Sequence, residues 1–112
     1  MDRPDAFELF AQYHLGLLPD GTGRFQNLHQ IAARYSVSAG ELALWLAEAQ
    51  LDAATADATD YDLPAKHGEA QLLALEGDPE KTLAFAHRVY DEYRARLGHP
   101  KVRTFDEDEP AW

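Results

Sequence analysis

The sequence predicts an all-α protein, and three observations carry that prediction. Apolar residues return at helical rather than alternating spacing in five stretches. A residue able to cap a helix N-terminus stands at the start of each: Asp5, Asn27, Ser38, Asp62 and Asp78. Proline, glycine or a run of small polar residues closes each one. Together they give about five helices: a helix-turn-helix-like centre, then a helical hairpin, then an acidic tail.

The first helix is expected over 5–18. Phe7, Phe10, Leu17 and Leu18 mark its apolar face, Asp5 suits its start, and Pro19 removes a donor and restricts the residue before it. Leu18-Pro-Asp-Gly-Thr-Gly-Arg-Phe25 then reads as a turn-rich loop, with Phe25 packing beneath it as an anchor. Its glycines do not form a phosphate loop, because neither the preceding strand nor the following Lys is present.

The stretch 28–51 organises the prediction. Two helices, 27–35 and 39–50, flank Ser36-Val37-Ser38. Ile31, Ala32, Tyr35, Val37, Leu42, Trp45 and Leu46 are spaced to bury one face of each against a common core. Asn27 with Gln30, and Ser38 with Glu41, have the spacing of capping boxes. The segment after Leu51 is rich in Ala, Asp and Thr and lacks bulky apolar periodicity. It is either a long connection or a poorly packed extra helical turn, and a fair place to look for function.

The fourth helix, 63–76, follows Asp62. Leu63, His67, Ala70, Leu73 and Ala74 form its apolar side, widened by Leu72 and Leu75. Gly77 can take the left-handed conformation that ends it. Asp78-Pro79-Glu80 starts the fifth helix at once, 79–97, so the two should form a hairpin. One helical domain is expected over 5–97. The remainder, 98–112, begins basic, turns acidic and ends aromatic, and reads as a flexible tail.

With 46% hydrophobic and 11% aromatic residues, the 112-residue chain can build a core. The absence of cysteine removes disulfides and thiolate chemistry. There is no run long and apolar enough for a membrane span, and no signal-peptide pattern, so a cytoplasmic location is expected. The net charge of −10 is concentrated: residues 39–80 hold ten acids and one base, Lys66. Phosphate backbones are bound by Lys and Arg that displace counterions, so this region would repel them. It is either a solvated face or a surface for a basic partner.

The phrase IAARYSVSAGELALWL resembles the helix-turn-helix motif of bacterial regulators and transposases, over roughly twenty residues. Ile31, Ala32, Tyr35, Val37, Leu42 and Trp45 fall on its inward positions. The resemblance implies a second helix whose outer face would enter a DNA groove. Two departures stand out. Ser36 occupies the turn position usually held by Gly, where left-handed backbone would be strained. The outward residues Ser38, Ala39, Gly40, Ala43 and Leu44, flanked by Glu41 and Glu48, include none of the cations or long amides that read bases.

Enzyme chemistry finds no support. The five histidines lie on separate elements without metal-ligand spacing, and His87 with Asp91 reads as a local helix contact. Ser36 and Ser38 belong to the turn. No metal and no cofactor is expected. The expected function is therefore a small non-enzymatic adaptor or regulator that binds another protein. Ala39, Ala43 and Leu44 of the second motif helix, with the tail aromatics Phe105 and Trp112 around four acids, are the candidate contacts. A second copy of the chain is an alternative partner. DNA binding through Arg3, Arg24 and Arg34, and acidic mimicry of nucleic acid, are the competing readings.

Overall fold

The computed structural model describes residues 4–97, and all of its regular structure is helical. α1 (Ala6–Phe10) runs on into a π-helical turn, Ala11–Leu15. α2 (Leu28–Arg34) and α3 (Ala39–Glu48) follow a loop. A short α4 (Ala53–Ala58) occupies the Ala-Asp-Thr connection, and α5 (Leu63–Leu75) and α6 (Pro79–Arg96) complete the order. The five expected helices are all present. Phe105 and Trp112 lie outside the described residues.

Side-chain capping fixes the helix starts. The carboxylates of Asp5, Asp52, Asp62 and Asp78 accept from the backbone N–H three residues on, and so do the Asn27 amide oxygen and the Ser38 hydroxyl. Asn27 and Gln30 complete a reciprocal box, at 2.8 and 2.9 Å. Ser38 accepts from Glu41 N at 3.1 Å without the return bond that the sequence suggests.

α2 and α3 end alike. Ser36 N–H donates to Ala33 O and Val37 N–H to Ala32 O; Gln50 N–H donates to Ala47 O and Leu51 N–H to Leu46 O. These are paired Schellman closures, and each places a non-glycine residue in the left-handed region, Ser36 at φ 58° and Gln50 at φ 59°. The turn between α2 and α3 is thus made without glycine, at a cost on the order of 1 kcal/mol for each such corner.

One apolar cluster joins Phe10, Leu15 and Leu17 to Ile31 of α2, Leu42 and Leu46 of α3, Ala70 of α5, and Phe85, Val89 and Tyr93 of α6. The N-terminal segment is its hub. α1 and its π turn touch α2, α5 and α6, whereas α3 packs chiefly on α2. The chain is therefore organised around residues 6–17, not around 28–51 as the motif suggests. Motif residues are recognisable in a sequence because they recur in known patterns; a hub is defined by distant packing, which carries no local pattern.

The first helix also ends earlier than Pro19 implies. Gly16 takes φ 67° and donates to Ala11 O, closing the π turn, and Leu17 N–H reaches the same oxygen at 3.0 Å. Leu17 and Gly23 then form an isolated antiparallel bridge that closes the loop. The widened turn frees carbonyls, and α5 satisfies them. Gln71 Nε2 donates to Leu15 O at 2.7 Å and to Gly16 O at 3.0 Å; His67 Nδ1 lies 3.2 Å from His14 O. Because a carbonyl only accepts, His67 Nδ1 is the donor in this contact. A Cβ on Gly16 would stand 2.8 Å from Gln71 Nε2, so only glycine allows this approach.

Three further expectations fail. Phe25 is 73% exposed, its ring edge-to-face with His67, rather than buried beneath the loop. Leu72 and Leu75 are 67% and 83% exposed and do not widen the α5 core stripe. α5 already buries Leu63 and Ala70, and the side facing the π turn is taken by His67 and Gln71, so these leucines fall on the opposite side. His87 stacks on the ring of Phe7 at 3.8 Å rather than pairing along its own helix.

Candidate functional site

Two surfaces stand out. The first is the outward face of α3. Leu42 and Leu46 turn inward and are buried, which by helical geometry turns Ala43, Leu44 and Ala47 outward. Leu44 is 64% exposed, Ala43 and Ala47 are exposed, and Ala39 is half-buried. Ala43 and Leu44 are thus brought to one surface, with Ala39 at its edge. Glu41 and Glu48 are exposed on the same helix, which carries no Lys or Arg.

Inside, Tyr35 and Trp45 meet edge-to-face at 6.5 Å between ring centres. Gln12, buried in the π turn, donates to the Tyr35 hydroxyl at 2.5 Å and so ties the helix pair to the hub. A second tie is the corner at Gln50 and Leu51. Tyr93 Oη donates to Gln50 O at 2.7 Å, and His14 Nε2 donates to Leu51 O at 2.6 Å. Burial holds His14 below its usual pKa of 6.5, against the Leu51 carbonyl, Asp52 and Asp57, which favour the charged form.

The second surface is a cleft of about 910 Å³ beside α4. Tyr13 and His14 of the π turn form one wall, and Phe25 to Leu28 of the loop form another. α4, the segment 59–62 and the first turns of α5 complete it. Its lining includes Asp57, Asp60 and Asp62, together with Tyr13, Phe25 and Tyr61, and no Lys or Arg. Asp60 is engaged from the rim by the Arg96 guanidinium, whose Nε and second nitrogen meet its two oxygens. Asp62 Oδ1 caps α5 at 3.1 Å. The Tyr61 hydroxyl donates to Glu92 at 2.5 Å, and burial with that acceptor pushes its pKa up. Gln26 is only 5% exposed. Its oxygen accepts from Arg34 at 3.0 Å, while its Nε2 has no hydrogen-bond partner.

Sequence reasoning flagged the acidic 51–62 segment without seeing a cleft. Its lining residues come from three stretches, 13–14, 25–28 and 53–67, and the local sign that α4 orders one wall is the N-cap pattern Asp52-Ala-Ala-Thr55. Among the described residues no group of three or more His, Asp or Glu side chains is arranged to hold a metal ion, and no helix is long and apolar enough to cross a membrane. Compared with protein-family models, with curated proteins and with solved structures, the chain shows no match.

Proposed function

We propose that this protein is a non-enzymatic adaptor or regulator that binds another protein through the outer face of α3. The observation that supports it is Leu44, a large apolar side chain 64% exposed among the small residues Gly40, Ala43 and Ala47, with Glu41 and Glu48 beside it. Holding such a side chain in water forgoes roughly 2 kcal/mol of burial, which a partner surface can recover. The same face argues against DNA: entering a groove brings it against phosphates, and its charged residues are Glu41 and Glu48. The test compares proteins recovered from the native cell by the wild-type chain and by Leu44→Glu, quantified by mass spectrometry. A protein lost selectively with the variant is the expected result; identical recoveries reject the proposal. DNA affinity that falls steeply with salt in a gel-shift assay would instead favour a DNA-binding regulator.

A second copy of the chain is the alternative partner, and one observation favours it. Ala65, Gly68, Leu72 and Leu75 are all exposed on α5 at spacings of three, four and three. In an antiparallel two-fold pair centred on Ala70, Ala65 would face Leu75 and Gly68 would face Leu72, small against large on both sides. A Cβ added at Gly68 meets nothing within 4 Å, so the space is open. Sedimentation of the wild type against Leu72→Glu decides it: self-association abolished by the variant supports this pairing, and a monomeric wild type rejects it.

A further inference from the structure

The open cleft beside α4 combines volume, negative charge and aromatic side chains, and each feature narrows what it can hold. Its volume of about 910 Å³ is that of a ligand site rather than a packing defect. Three lining carboxylates with no lining Lys or Arg favour a cation. Tyr13, Phe25 and Tyr61 supply ring faces, which attract cations most strongly when these are planar and weakly hydrated.

The chain already uses this chemistry at the rim. Arg96 presents two guanidinium nitrogens to Asp60, and Lys66 sits 5.9 Å from the centre of the Tyr61 ring. Among the described residues no ion pair engages Asp57 or Asp62. Asp57 is exposed on the last turn of α4, and Phe25, which also lines the cleft, keeps 73% of its surface exposed. The uncharged wall also has an unmet need. Gln26 lines the cleft with its side chain buried and its Nε2 donor unpartnered, and a buried amide N–H without an acceptor is unfavourable. That nitrogen has almost no exposed surface, so a ligand carbonyl meets it only if the Gln26 side chain turns toward the cleft.

We propose that this cleft binds a guanidinium group, with Asp57 as its carboxylate partner and Phe25 as its aromatic face. The arginine side chain of a peptide and a free guanidinium compound share this chemistry. The site is separate from α3, so it stands or falls independently of the partner surface above.

The experiment is an NMR titration of the full chain with acetyl-Gly-Arg-Gly-amide, with agmatine, and with the citrulline counterpart of the peptide, which keeps its shape and loses its charge. Saturable shifts at Tyr13, Ala56, Asp57 and Tyr61 are expected for both guanidinium probes, with a dissociation constant on the order of 1 mM. Tighter binding of the peptide assigns the site to a partner chain, tighter binding of agmatine to a free small molecule; either sustains the proposal. Asp57→Asn should weaken binding roughly tenfold. Phe25→Ala, at an exposed position where folding is safe, should weaken it several-fold. Leu44→Glu should leave it unchanged. The proposal is overturned if the citrulline peptide binds as well as the arginine peptide, if no probe saturates, or if Asp57→Asn binds like the wild type while its circular dichroism shows it folded.

Discussion

The seam between the π turn and α5 and the outer face of α3 are opposites within one small protein. At the seam, glycine allows backbone and side chains to close to contact, and Gln71 and His67 engage carbonyls of the widened turn. On α3, the inward side is fully buried while Leu44 faces solvent. The contrast separates residues that hold the fold from residues free to meet something else. Changes at the seam should alter stability, and changes on α3 should alter association alone.

The largest expected effect is at the hub. Phe10, fully buried and ringed by His14, Tyr90 and Tyr93, should lose about 3–5 kcal/mol of unfolding free energy on Phe10→Ala, measured by urea denaturation. Gly16→Ala comes next, at about 2–3 kcal/mol, because a Cβ is disfavoured both by the φ of 67° and by the approach of Gln71. Gln71→Ala should cost about 1–3 kcal/mol by leaving the Leu15 carbonyl unpaired, the Gly16 carbonyl keeping its bond from Arg24 N–H; a change within error would mean that water replaces the amide.

A smaller effect is carried by pH. His14 is held below its usual pKa of 6.5 by burial, so the unfolded chain takes up its proton first. The stabilisation from neutral His14 is complete above 6.5 and is lost as pH falls below it. His14→Gln should flatten that part of the stability profile between about pH 7.5 and 5.5. The smallest expected effect is Leu44→Glu, within about 0.5 kcal/mol of wild type. A large loss there would show that the α3 face supports the fold after all, and would erase the contrast.

The sequence made the helix starts legible because capping is local. Asp5, Asn27, Ser38, Asp62 and Asp78 each act on a backbone N–H three residues away, within sight of any short window. The inward and outward sides of α3 were legible for the same reason, since helical period alone sorts Leu42 and Leu46 from Leu44. What depended on distant residues was not. Pro19 looked like the stop of the first helix, but the chain had already turned at Gly16, where α5 approaches from more than fifty residues away. Leu72 and Leu75 looked like core because hydrophobicity says that a side chain can be buried, not that a neighbour is there to bury it. The cleft was invisible because its walls meet only once α4, the loop and α5 are assembled.

The two left-handed corners, Ser36 and Gln50, have a consequence for how this protein can vary. They bracket α3 like fixed bearings, one backed by the Ala32 and Ala33 carbonyls and the other latched by the Tyr93 hydroxyl. A single residue inserted between them would swing everything beyond it by about 100° around the axis, carrying Leu44 off the surface or Leu46 out of the interior. Homologous chains should therefore keep the number of residues from corner to corner constant.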